Sequence, residues 1–153
     1  MIGILKFSLT NIDKDILTID NLNKLTTTTT NGCLFCDYFD YTKISIPIKT
    51  NIFSRVDIHY FNDILITDDI SQANELILAT SAKKRFLYLY HLDWSYIDHL
   101  HFQHINMLLY NDNIELIARS NSHAKLIEQL FKPPKYIMPE WNYKTLIEID
   151  KNE

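Results

Sequence analysis

The chain has 153 residues, 46% apolar and 22% charged, with a formal net charge of −4. That describes one globular domain with a core of its own and excludes a disordered or fibrous chain. The acidic balance argues against a nonspecific nucleic-acid binder, which carries a basic face. Only Gly3 and Gly32 are present, so neither Gly-rich phosphate loop can be built and no cofactor is expected.

In chain order, "IGILKFSL" is a short apolar run that predicts an opening strand. Ile12, Ile16, Ile19 and Leu22 recur at helical spacing and predict a helix over Ile12 to Leu25. The five threonines from Thr26 to Thr30 and the "NG" that follows predict a solvent-facing loop with a turn. "CLFCDYFDY" reads as a second strand. Thr42 to Asn51, with Pro47, reads as an extended connection. "RVDIHYF" alternates Val56, Ile58 and Tyr60 with polar neighbours and predicts an edge strand. From Ile64 the pattern becomes regular. "ILIT" is a strand, and Asp69 with Gln72 is a capping box. Ile70, Ala73, Ile77 and Thr80 share a helical face that Lys83, Lys84 and Arg85 close. "RFLYLYHL" is a strand apolar on both faces. Ser95 with Asp98 opens a helix to about Leu109, and "IELIAR" is a strand. Ser120 or Ser122 caps a helix that turns Ala124, Leu126, Ile127, Leu130 and Phe131 inward and that "KPPK" breaks. "YIMP" is a last strand, and Asn142 caps a closing helix. Strand–helix alternation from residue 64 to 150, after a less regular 1–63, predicts a single α/β domain. Its architecture is a three-layer α/β/α sandwich on a mostly parallel, Rossmann-like sheet.

Such sheets bind ligands beyond the carboxyl ends of their strands. Three predicted strand ends are polar there: Thr67, Asp68 and Asp69; His91, Asp93 and Trp94; and Arg119, Ser120, Asn121 and His123. If the strands are neighbours, these groups share one crevice able to bind an anion or move a proton. Arg119 would hold a phosphate or carboxylate as a bidentate fork. His91 or His123 would act as base toward a hydroxyl, Asp93 would orient a histidine, and Trp94 is a stacking surface or a core-edge aromatic. Several of these residues have a structural use as well: Asp69 and Ser95 as helix caps, Arg119 as a partner for Asp93.

Cys33 and Cys36 make one C-x-x-C without a second pair, inside a strand where their spacing points them to opposite faces. They read as structural, and no metal site is expected. His101 and His104 share a helical face without the H-E-x-x-H pattern, and no G-x-S-x-G elbow occurs. Lys132 and Lys135 read as exposed lysines beside a proline turn. "MIGILKFSLTN" has no signal-peptide pattern, and no run approaches ~18 apolar residues. The expectation is a cytoplasmic protein without membrane or nucleic-acid partners.

The series "LITDD…A…KKRFLYLYHLDW…ELIARSNSHAKLIEQLF…YIMPEW", over Ile64 to Trp141, resembles the N-terminal Rossmann-like half of GT-B-type glycosyltransferases, especially glycosyltransferase-like proteins of tailed phages. The usage of Ile, Asn, Lys and Tyr resembles that of AT-rich phage coding sequence, which would place the protein in the host cytoplasm. The best-matching pieces are Tyr90 to Trp94 and the "RS…H" of Arg119, Ser120 and His123. The resemblance implies a cleft contacting a nucleotide-sugar donor or an acceptor. It places His91, Asp93 and His123 in catalysis, and Asp68, Trp94, Arg119 and Ser120 in binding. The donor-binding second domain of such enzymes is not in this sequence. A partner chain or a homo-oligomer would supply it, or the fold is a noncatalytic remnant. The alternative reading is a noncatalytic phage interaction module. It would self-associate or dock on a protein through Tyr38, Tyr41, Tyr60, Trp141 and Tyr143 and an edge strand at Arg55 to Phe61.

Overall fold

The opening apolar run forms β1 (Ile2–Leu5), the strand from which the sheet is laid in both directions. The computed structural model describes residues 1–9, 13–39, 42, 44–96 and 99–153, apart from the side chains of 93, 96 and 99–102. After β1 come a two-residue strand β2 (Ser8–Leu9), helix α1 (Asp13–Leu25), β3 (Gly32–Phe35), β4 (Tyr38–Phe39) and β5 (Asn51–Phe53). Then follow β6 (Ile64–Thr67), α2 (Ala73–Leu78), β7 (Lys84–Leu89), α3 (His99–Leu109), β8 (Glu115–Ala118), α4 (Asn121–Leu130), β9 (Tyr136–Ile137) and α5 (Tyr143–Asn152). Seven strands make one sheet in the order β5-β3-β1-β6-β7-β8-β9. Every described pairing is parallel. The chain builds outward from β1 to β5, crosses back to β6 and builds outward the other way. The order therefore reverses between β1 and β6, the switch point of a Rossmann-like sheet. β2 and β4 pair beyond the ends of β1 and β3 as a separate two-stranded ribbon.

Alternation sorts the strands' side chains onto two faces. Ile2, Ile4, Leu34, Ile64, Ile66, Phe86, Tyr88 and Ile117 face α1 and α5, where Ile19, Leu22, Leu146 and Ile149 cover them. Leu5, Phe35, Leu65, Leu87, Leu89 and Leu116 face α2, α3 and α4. Cys33 and Cys36 are free, buried and on opposite faces, as their spacing predicts.

The first half departs from the sequence reading in two places. The edge strand expected at Arg55 to Phe61 is a 3-10 turn over Arg55–Tyr60. Asp37 Oδ1 accepts from the Arg55 amide and from Ser54 Oγ, both at 2.9 Å, and winds the chain as it leaves β5. Of the three alternating residues only Ile58 is buried, while Val56 and Tyr60 stand 65% and 86% exposed. The true edge is β5, which the sequence reading placed inside and just after an extended connection. That connection is tied down by Asn23, whose side chain donates to the Pro47 carbonyl and accepts from the Lys49 amide, both at 2.7 Å. The threonine run serves α1: the hydroxyls of Thr26, Thr27 and Thr28 donate to the carbonyls of Asn23, Lys24 and Leu25. Thr30 is buried, not solvent-facing, and donates to Asp150.

Later elements follow the reading more closely. Asp69 caps the turn Ile70–Gln72 and accepts from the Ser71 amide. Lys84 and Arg85 open β7 instead of closing α2, which ends at Leu78. The Arg85 guanidinium still reaches back to the Ile77 carbonyl at 2.8 Å. Ser120 caps α4 and Asn142 caps α5. Leu130 is exposed, not inward. Ser95 lies in a 3-10 turn, Asp93–Tyr96, and its hydroxyl donates to the Leu92 carbonyl. Its expected capping partner Asp98, the helix start Ile12 and the aromatic Tyr41 lie outside the described residues.

Gly3 marks the tightest point of the sheet. A Cβ there would lie 2.6 Å from a Phe35 ring carbon and 3.0 Å from one of Phe61. Phe35 is buried and in ring contact with Phe53 and Phe61, so it must shift with them to make room. Gly3→Ala is therefore expected to cost about 1–3 kcal/mol through overpacking. Urea unfolding would show it as a lower midpoint at unchanged slope; an unchanged midpoint would mean the ring slot has spare room.

Candidate functional site

At the switch point the strand ends carry charge, and the charges are spent on one another. Lys6 follows β1, Asp68 follows β6 and Asp15 lies in the first turn of α1. Lys6 Nζ donates to Asp68 Oδ2 at 2.8 Å and to Asp15 Oδ1 at 3.0 Å, with all three side chains at most 4% exposed. Trp141 Nε1 donates to the same Asp68 oxygen at 3.1 Å. Lys14 Nζ donates to the Asp68 main-chain carbonyl and stands 3.7 Å from its carboxylate. Burial disfavours the charged form of Lys6, but Asp68 and Asp15 outweigh it, so its pKa is raised. The space left among Lys6, Ser8, Lys14, Asp15 and Asp68 is about 140 Å³. That is well under the ~300 Å³ at which small-molecule pockets begin.

On the next two strands along, β7 and β8, the ends are open. Alternation puts Tyr90 and Arg119 on the α1 face of the sheet. The Arg119 guanidinium lies over the Tyr90 ring, 4.4 Å from its centre. Arg119 Nε donates to Glu140 Oε1 at 2.9 Å, Nη2 donates to the same oxygen, and the Tyr90 hydroxyl donates to Glu140 Oε2. Glu140 holds that position from a left-handed backbone (φ 50°, ψ 41°), and Trp141 follows at φ 57°. Left-handed backbone costs a non-glycine residue about 1–2 kcal/mol. The cost is met by Trp141, which is fully buried, edge-on to Tyr88 at 5.0 Å and bonded to Asp68. Hydrogen bonds from Tyr90 and then Arg119 hold the Glu140 carboxyl below the usual carboxylate range. Burial and the bond to Glu140 push the Tyr90 hydroxyl up to about 12.

Three clefts meet here. One of about 390 Å³ is lined by Tyr90, His91, Arg119, Ser120, Ser122 and His123. A second of about 510 Å³ runs toward α1 past Lys14 and Leu17 to Tyr90, Arg119 and Glu140. A third of about 500 Å³ runs from Arg119 and Ser120 to Ile137 and Pro139.

The expected site residues divide accordingly. His91, Arg119, Ser120 and His123 share the first cleft. His91 is exposed at its mouth, edge-on to Tyr90. Ser120 accepts from the His123 amide and sits 3.0 Å from the Ser122 hydroxyl. His123 Nδ1 accepts from the Arg119 amide at 3.4 Å, and its ring stacks on Trp94. His123 is thus turned toward its own backbone and the core, while His91 stands exposed at the cleft mouth. Trp94 is 5% exposed and packs on Phe131 as well, so it backs the cleft wall from the core and offers a ligand no stacking face. Asp68 is not in the crevice: it is buried at the switch point and committed to Lys6 and Trp141. The Asp93 side chain lies outside the described residues. Arg119 finds its carboxylate in Glu140.

Sequence reasoning missed Lys6, Asp15 and Glu140. A lysine directly after a fully apolar strand was a usable signal for the first. Nothing marked Glu140, whose left-handed backbone occurs without glycine. Lys132 and Lys135 are used internally, by the carbonyls of Asn111 and Ile114 and by Glu115 and Glu153. His104 pairs with Asn74, and the His101 side chain lies outside the described residues. Among the described residues no cluster of His, Cys, Asp or Glu is arranged for a metal, and no helix is long and apolar enough to cross a membrane. Comparison with protein-family models, curated proteins and solved structures finds no match.

Several buried groups share one direction of shift. Burial pushes the Cys33 thiol up to about 12 and raises Tyr88. Tyr90 and Lys6 are raised as well. The folded chain therefore keeps protons that the unfolded chain releases from about pH 9 upward. Stability from these groups is complete below that range and lost as pH climbs through the folded values. Calorimetry is expected to show Tm falling from about pH 9 up toward about pH 12; a flat Tm would contradict the burial of Cys33, Tyr88 and Tyr90 and the pairing of Lys6 with its carboxylates.

Proposed function

We propose that the chain is a glycosyltransferase-like ligand-binding domain whose site is the crevice over β7 and β8, taking a sugar-containing ligand. The observation that carries this reading is Arg119, laid on Tyr90 at the meeting point of three clefts and flanked by the His91 imidazole and two serine hydroxyls. An aromatic wall with a few convergent polar groups is what small-ligand sites use for affinity and orientation. The Arg119 fork suits a phosphate or carboxylate, and exposed His91 is free to accept a proton from an acceptor hydroxyl. Sugar transfer would further require a donor-binding half from a second chain or a second copy. The switch point, where a dinucleotide would lie on a Gly-rich turn, is filled by Lys6 and its carboxylates, which favours the β7–β8 crevice over a Rossmann-type cofactor site.

A second reading has its own support. Beside the edge strand β5 stand Phe7, Tyr38, Phe53, Val56 and Tyr60, all exposed, and Phe7 and Tyr38 are in ring contact. Exposed edges with apolar neighbours invite pairing, as a noncatalytic docking or self-associating module would require.

Thermal shift against nucleotides, nucleotide-sugars and free sugars separates the two. A ligand at ~100 times its dissociation constant adds about 2.7 kcal/mol, or roughly 5–10 °C for a domain of this size. The crevice reading expects such a shift from a sugar-containing ligand and its loss in Arg119→Ala. Arg119 is half-exposed, so losing its contacts with Glu140 and Tyr90 costs intrinsic stability about 0.5–2 kcal/mol, and the ligand shift is read against each variant's own melting point. No shift across the panel, with a dimer in solution, would favour the docking module.

A further inference from the structure

Glu140 occupies Arg119 in a way that an outside ligand could better. Both guanidinium donors, Nε and Nη2, converge on the single oxygen Oε1, while Oε2 is turned to Tyr90. An arginine fork is best matched by two parallel bonds to two oxygens, which a phosphate or an unconstrained carboxylate supplies. The pair is also weakly held. The Arg119 side chain is 37% exposed and that of Glu140 47%, and ion pairs so exposed contribute little. The backbone under Glu140 is held by Trp141, by the Asn142 amide on the Pro139 carbonyl and by Asn21 on the Glu140 carbonyl, so only the side chain need move, and the Tyr90 hydroxyl it releases is left to donate to the ligand. Arg119 lines all three clefts, and Glu140 stands in two of them.

We propose that Glu140 is an internal stand-in for the ligand's anionic group: a sugar bearing a phosphate or a carboxylate displaces it from Arg119 and joins the three clefts into one groove. This rests on the reading of the β7–β8 crevice as the ligand site. It adds the ligand's charge, the residue that must move and the direction of the groove. The groove runs from Lys14 on α1, across Arg119, to Ile137 at the end of β9 and Pro139 beyond it. Lys14 at one end and the Ser120 and Ser122 hydroxyls at the centre offer donors to the rest of the ligand. Apolar Leu17 and Ile137 lie nearer the two ends.

Trp141 adjoins Glu140 and Trp94 backs the cleft, so intrinsic fluorescence reports occupancy. Inorganic phosphate, glucose 1-phosphate and glucuronate would be titrated into the wild-type chain, Glu140→Gln and Arg119→Lys, each first checked for an unchanged far-ultraviolet spectrum and melting curve. Glu140→Gln is expected to bind phosphate roughly twofold to fivefold more tightly than wild type, the scale set by losing an exposed ion pair. Arg119→Lys, which keeps the charge and removes the fork, is expected to bind phosphate more weakly than wild type. Tighter binding of glucose 1-phosphate or of glucuronate than of phosphate identifies which anionic sugar the groove prefers. Equal or weaker phosphate binding by Glu140→Gln overturns the stand-in role. Phosphate binding that improves in Glu140→Gln without any added affinity from the sugar ring keeps the stand-in and overturns the sugar reading beneath it.

Discussion

A lysine buried between two carboxylates sets the terms for the rest of this molecule. An unpaired ammonium in that position costs several kcal/mol, and so does either carboxylate left without it. Lys6, Asp15 and Asp68 must therefore arrive together. They come from the end of β1, the first turn of α1 and the end of β6, so their meeting ties the register of the two central strands to the seat of the first helix. Trp141 extends the tie to the C-terminal segment through its bond to Asp68. Replacing the triad by apolar residues could be neutral for stability. Its consequence lies elsewhere: it fills from within the crevice where sheets of this order take their ligands.

With the switch point filled, the open clefts lie further along the sheet. The same Trp141 that closes the triad forces Glu140 into a left-handed backbone and holds its carboxylate over Arg119 and Tyr90. The closed centre and the open crevice are thus coupled through two adjacent residues. The opposite rim of the sheet is built differently. There Lys84, Lys135, Tyr136, Glu115 and Glu153 interlock. Against the opposing effect of burial, bonds from Lys135, Tyr136 and Lys84 bring the Glu153 carboxyl down to about 2. One rim has its charges paired off; the other keeps a half-exposed arginine and an exposed histidine beside open clefts.

How much of this could be read from residues alone varied along the chain. From Ile64 onward, continuous apolar strands and side-chain caps spell out the alternation, because local patterning and tertiary burial agree there. Asp69, Ser120 and Asn142 cap as their positions predict. Before Ile64 the local pattern misleads. "RVDIHYF" alternates like a strand, yet the Asp37 carboxylate, distant in sequence, winds it into a turn, and β5 is too short to leave a periodic trace. The site was legible as far as strand ends are. His91, Arg119, Ser120 and His123 meet because β7 and β8 are neighbours. Asp68 was drawn into the same crevice because its partner Lys6 lies 62 positions away. Glu140 was invisible because its placement depends on the burial of its neighbour and not on its own chemistry.

The proposed site is the β7–β8 crevice and not the filled switch point. Amide chemical-shift mapping of the full chain with a bound sugar phosphate tests it most directly. Perturbations are expected at Tyr90 to Leu92, Arg119 to His123 and Pro139 to Asn142, with Lys6 to Leu9 and Asp68 to Ile70 unmoved. Perturbations centred on Lys6 and Asp68, with Arg119 and Glu140 silent, would contradict it.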